Sequence, residues 1–132
     1  DQSILDLFEA GYATEVETST EIKRVYEASD YIEDPHTAVA SAVYQKYAER
    51  TGDKTPTVIA STASPYKFPR VAVEAVSGQA PADDFVAVKE LEKLSGVAIP
   101  KAVNGLETAE VRHKTVVATG DMQKAVENYL GL

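Results

Sequence analysis

Cysteine is absent from the 132-residue chain. Disulfides, a thiol nucleophile and a Cys-ligated metal are therefore excluded. Basic charge is scarce: 13 Lys and Arg stand against 21 Asp and Glu, for a formal net charge of −8. That deficit argues against a nucleic-acid backbone as main partner, although local donors still decide whether a small phosphorylated ligand binds. No apolar run approaches the length of a membrane span, and no signal-peptide pattern opens the sequence. A membrane partner is not expected, and the cytoplasm is the expected location. With two histidines, no metal-ligand pattern emerges. Walker loop, dinucleotide glycine fingerprint, HExxH and Gly-x-Ser-x-Gly elbow are all missing. The chain begins at Asp1 and not Met, which suggests a trimmed or processed piece.

What is present is ordinary globular composition, 44% apolar and 26% charged. The length suits one compact unit over residues 1–132 with no internal boundary. Ile4, Leu7 and Phe8 stand at helical spacing within residues 3–10, behind Ser3 as a candidate N-cap. Thr14 and Glu17 have capping-box spacing, and Ile22, Val25 and Tyr26 continue a stripe to about Ser29. Asp34 followed by Pro35 opens the clearest helix, with Val39, Ala42, Val43 and Tyr47 on one face and Gly52 as its stop. Phe68, Val71, Ala72, Ala75 and Val76 form a further stripe with Pro69 in its first turn and Gly78 closing it. Asp83 or Asp84 starts a helix carrying Phe85, Val88, Leu91 and Leu94, stopped by Gly96. Asp121 caps a last one, with Met122, Ala125, Val126, Tyr129 and Leu130 on one face. The tyrosines at 26, 44, 47 and 129 fall on these stripes and read as core.

Only Thr57–Ser61 reads as a convincing strand, with a shorter extended piece at Val111–Val117. The first shows no alternation, so it reads as buried on both faces. Such a strand needs neighbours for its backbone groups, and the sequence supplies almost none. The fold class expected is thus a mostly helical α/β piece, five or six helices around one or two short strands, with the missing sheet neighbours outside these residues.

The chemistry concentrates where that strand hands over to a helix, in Thr57–Gly78, "TVIASTASPYKFPRVAVEAVSG". Hydroxyls of Ser61, Thr62 and Ser64 can donate to a ring nitrogen or a phosphate, beside helix N-terminal amides. The local alternative is that Ser64 caps the next helix while Ser61 and Thr62 bond nearby backbone, and on pattern alone it is the stronger. Lys67 and Arg70 follow and can bind phosphate; a solvated face accounts for Arg70 better. His36 and Thr37 occupy the first turn of the Asp34 helix, where a His can act as acid, base or donor. Arg112–His113–Lys114 is a small basic cluster best read as balancing the acidic surface. Asp83–Asp84 and the Glu15–Glu17–Glu21 region are acidic helix starts that the helix dipole explains.

At "DPHTAV" (Asp34–Val39) and "STASPYKFP" (Ser61–Pro69) the chain resembles the C-terminal part of threonine synthase, a fold-type II pyridoxal-phosphate enzyme. "AGYATEVET", "VAIPKAVNGL" and "VRHKTVV" extend the resemblance over nearly the whole chain. It implies a carbon–oxygen lyase that converts O-phosphohomoserine and water to threonine and phosphate, with pyridoxal 5'-phosphate held as a Schiff base on a lysine. In this family that lysine lies upstream in a Ser/Thr-x-Phe-Lys-Asp-like context, absent here together with the glycine-rich phosphate loop. The resemblance therefore implies the far wall of a site, no catalytic residue of its own, inactivity in isolation, and the missing N-terminal part as partner. It places Thr62, or Ser61 as the close alternative, opposite the pyridine nitrogen. A neutral hydroxyl there does not force protonation of the ring nitrogen. Lys67, Ser64, His36 and Thr37 match positions near the substrate, although Ser64 stands where many relatives have His. Two other classes remain open: a stand-alone module binding a phosphorylated metabolite through Ser61–Lys67, and a helical domain that only packs against a partner. The threonine synthase reading also implies uncovered apolar surface on the isolated piece and a homodimer formed through it, and the packing-only reading implies an exposed apolar patch as its docking face.

Overall fold

The computed structural model describes residues 7–132, and these hold five α-helices: α1 (Glu15–Ser29), α2 (Pro35–Thr51), α3 (Pro69–Ser77), α4 (Asp84–Ser95) and α5 (Met122–Leu130). Short 3-10 turns occupy Pro65–Lys67, Leu106–Thr108 and Thr119–Asp121. The start and stop signals account for most boundaries. Thr14 and Glu17 close a reciprocal capping box on α1, with the Thr14 amide donating to Glu17 Oε2 at 2.7 Å. Asp34 caps α2 with Pro35 in its first turn, and Gly52 ends it at φ +70°. Pro69 sits in the first turn of α3, and Asp83, not Asp84, caps α4. Asp121 occupies the N-cap position of α5, but its side chain makes no capping bond.

The helices form a row in which α1 lies between α2 and α3, and α3 lies between α1 and α4. The core fills the space between them with Ile22, Ile32, Ala38, Tyr66, Ala72, Val73, Ala87, Val88 and Leu91. Ile22 and Leu91 are wholly buried, and burying each such side chain contributes roughly 1.5–3 kcal/mol. Tyr66 pins the loop before α3 into this core, donating its hydroxyl to the Val97 carbonyl beyond α4.

Several sequence expectations shift by a residue or a face. The buried stripe of α2 is Thr37, Ala38, Ser41 and Ala42, while Val39, Val43 and Tyr47 are only half-buried. This face carries Ser41, whose hydroxyl bonds Glu21 of α1 across the interface, so a polar tie as well as apolar burial decides which side of α2 turns inward. In α3 the buried residues are Pro69, Ala72 and Val73, and Val71 faces solvent. Phe85 is partly exposed, whereas Val88 and Leu91 take core positions as expected. Tyr26 and Tyr44 are half-buried, but Tyr129 is 90% exposed.

No strand occurs among the described residues. Thr57–Ser61 is irregular and Val58 is 95% exposed, so the expectation of a strand buried on both faces is not met here. A strand exists through the ladder it shares with a neighbour, and no extended neighbour lies beside this segment in the described residues. Val111–Val117 is irregular and exposed for the same reason. Of the helix expected over 3–10, residues 3–6 lie outside the described residues, and residues 7–10 are not helical. The apolar face of α5 is as the spacing requires, yet Met122, Val126, Tyr129 and Leu130 are all more than half exposed. No helix among the described residues is long and apolar enough to cross a membrane.

Candidate functional site

Asp34 is the fixed point of the site. It is wholly buried, and its Oδ1 accepts from the His36 amide at 3.0 Å and the Thr37 amide at 3.4 Å. Its Oδ2 accepts from the Thr37 hydroxyl, and the His36 ring nitrogen Nδ1 stands 3.1 Å from Oδ1. Burial alone pushes the Asp34 carboxyl up, but the Thr37 hydroxyl and the His36 and Thr37 donors outweigh it and hold the group below its ordinary range. The result is a carboxylate that fixes two neighbouring side chains in the first turn of α2.

From this turn the structure reaches across to the second motif. The Thr37 hydroxyl lies 3.2 Å from Ser61 Oγ, a contact between residues 24 positions apart. One step along, the His36 ring packs on Phe68 with centroids 4.9 Å apart and planes at 51°. Lys67 Nζ lies 5.6 Å from the centre of the same Phe68 ring. His36, Thr37, Ser61, Lys67 and Phe68 thus form one patch, although they come from the start of α2 and from the loop before α3.

Thr62, next in the loop, is exposed. Ser64 accepts from the Tyr66 amide at 3.3 Å and caps the 3-10 turn Pro65–Lys67, so its local-capping reading holds in the geometry. Arg70 is exposed on α3, and Arg112–His113–Lys114 lies in the exposed segment before α5. Chemically the patch presents neutral hydroxyls, an imidazole and a mobile ammonium around an aromatic shelf. It suits the edge of a flat, anionic molecule. The described glycines with positive φ are Gly52, Gly78, Gly96, Gly105 and Gly131, and all but Gly105 terminate α-helices. They do not build a glycine-rich phosphate cradle. No group of three or more His, Asp or Glu among the described residues could hold a metal.

Two features escaped the sequence patterns. Phe68 joins the site as its aromatic shelf, although its spacing marked it as core. A polar cluster of Glu21, Glu33 and Ser41 also lies buried between α1 and α2. The signal was the spacing of Thr18, Glu21 and Ile22 at i, i+3 and i+4, which puts Glu21 on the buried face of α1. An acidic residue near a helix start reads more naturally as a dipole effect.

The sequence model of the family described as threonine synthase, C-terminal, matches residues 37–129. Threonine synthase of Saccharomyces cerevisiae is 37% identical over 102 residues, which covers 72% of this chain and 20% of the yeast protein. Threonine synthase-like 1 of Homo sapiens is 43% identical over 70 residues, covering 52% of this chain and 9% of the human protein. The chain thus spans about a fifth of the length of its yeast relative. The matched region holds Thr37, Ser61, Thr62, Lys67 and Phe68 together, and this chain belongs to the threonine synthase C-terminal family.

Proposed function

We infer that this chain forms one wall of a threonine synthase active site, in a fold-type II enzyme that converts O-phosphohomoserine and water to threonine and phosphate. The observation that carries this reading is the meeting of the two motifs: the Thr37–Ser61 contact and the His36–Phe68 packing join segments that sequence separates. Pyridoxal 5'-phosphate, when bound, supplies the electron sink for cleaving the bond to the phosphate. Exposed neutral hydroxyls at Ser61 and Thr62 suit a ring nitrogen, which fits this group along one edge. In this reading the cofactor lysine and the phosphate loop belong to an N-terminal part of the enzyme, in keeping with a chain that spans about a fifth of its yeast relative.

Within that wall, Thr62 would hold the cofactor's ring nitrogen by a hydrogen bond, with Ser61, tied to Thr37, as its support. Lys67 draws the substrate phosphate by charge, its stem steadied on Phe68. His36 and Thr37 border the same patch beside Ser61 and Phe68, and Ser64 holds the loop's turn in shape. The chain alone is inactive, and the uncovered apolar surface of its C-terminal segment seats against the N-terminal part.

The test is phosphate release and cofactor absorbance in the full-length enzyme. Thr62→Ala is expected to weaken cofactor binding and shift its visible absorbance. Lys67→Ala is expected to raise KM for O-phosphohomoserine with little change in that absorbance. Wild-type activity and an unaltered spectrum in both variants would sink the reading. Tight binding of a phosphate ester by the 132-residue chain alone, lost in Lys67→Ala, would favour a self-contained binding module instead.

A further inference from the structure

Glu33 is 6% exposed, and its Oε2 has no hydrogen-bond partner among the described residues. Buried polar atoms without partners are rare, and each calls for a physical explanation. Here the neighbours supply it. Glu21, also 6% exposed, projects from α1 into the same interface. It accepts from Arg24 Nε and Nη2, at 2.8 and 2.7 Å, and from the Ser41 hydroxyl of α2 at 2.5 Å. Asp34, beside Glu33 in the chain, takes the His36 and Thr37 donors. The charged groups facing Glu33 are therefore Glu21 and Arg24 from α1 and Asp34 from the connecting loop, with the Ser41 hydroxyl from α2. Arg24 is paired with Glu21 and Asp34 is satisfied by its own donors, so Glu33 is the carboxyl left over.

We propose that Glu33 is a proton-binding site built into the α1–α2 interface, neutral when those helices and the Asp34–Thr37 turn are firmly seated and loosening that seat as it ionises. A proton is the ligand that fits: it removes the third negative charge and needs no space in a packed interface. Burial first, then the charges of Glu21 and Asp34, push the Glu33 carboxyl up to about 7, against the opposing pull of Arg24 and Ser41. Because the folded chain holds this proton more tightly than the unfolded one, Glu33 makes stability fall as pH rises. The fall begins near the ordinary carboxyl range and is complete above about pH 7. Glu33 directly precedes Asp34, so ionisation is felt at the residue that orders His36 and Thr37.

The experiment is a carbon-detected NMR titration of the glutamate carboxyls of the 132-residue chain, with urea unfolding of the wild type and Glu33→Gln across about pH 5 to 8. The expected result is a Glu33 midpoint near 7, and a ratio of folded to unfolded wild type that falls roughly a hundredfold more over that range than in Glu33→Gln. A Glu33 midpoint in the ordinary carboxylate range, or a pH dependence identical in the two proteins, overturns the proposal. The NMR midpoint is read on the wild type, so it decides the matter even if the variant fails to fold.

Discussion

Replacing Asp34 with Ala removes three things at once: the N-cap of α2, a buried charge-assisted bond from the Thr37 hydroxyl, and the clamp on His36. Losing an N-cap to Ala costs about 0.5–2 kcal/mol. A hydrogen bond to a charged group is worth roughly 1.5–3 kcal/mol. Both act through one carboxylate and are not simply additive, so the expected loss is about 2–4 kcal/mol. With an unfolding entropy of about 2.1 cal/mol/K per residue over 132 residues, that loss lowers Tm by about 7–14 °C. Urea unfolding followed by far-UV circular dichroism reads it directly, with the m-value as a check on two-state behaviour. Asp34→Asn keeps a good cap but loses the charge, so it should cost about half as much. The Asp34 carboxyl is held below its ordinary range. Its stabilisation is therefore present above the unfolded carboxyl's pKa and lost as pH falls through the folded value. The gap between wild type and Asp34→Ala should therefore shrink only as pH falls below the ordinary carboxyl range. An alanine variant within about 0.5 kcal/mol of wild type at neutral pH would refute this account of Asp34.

Leu91 is wholly buried among α1–α4 core residues, so Leu91→Ala should destabilise by about 2–5 kcal/mol in the same urea assay. A smaller loss would mean that the row of helices is not the stabilising unit. The uncovered face of α5, with Val126 at 58% and Leu130 at 61% exposure, should bind a hydrophobic dye. Val126→Ser combined with Leu130→Ser should reduce that fluorescence while leaving the unfolding midpoint of the core unchanged; undiminished dye binding would place the sticky surface elsewhere.

Features that act within one helical turn are legible in the amino-acid sequence itself. The Thr14–Glu17 box, the Asp34–Pro35 start, the glycine stops at 52, 78 and 96, and Pro69 in its first turn all follow from backbone chemistry that neighbours in the chain settle among themselves. The DPHT and STASP segments are visible as candidate sites for the same reason: hydroxyls, an imidazole and a lysine are chemically marked wherever they stand.

Tertiary packing decided the rest. Which face of α2 turns inward was decided by its partner: Thr37, Ala38, Ser41 and Ala42 are buried and Ser41 bonds Glu21 of α1, while Val39 and Val43 stay half-buried. Phe68 became the shelf of the patch because His36 arrives on it from another helix, a contact that no local spacing encodes. The Thr57–Ser61 run carries a strand's composition but forms none among the described residues, because strand pairing is a property of two segments and not one. The orphaned Glu33 is the sharpest case. Its identity is local, but its protonation depends on burial and on Glu21, Arg24 and Asp34 converging around it, which only the folded chain arranges.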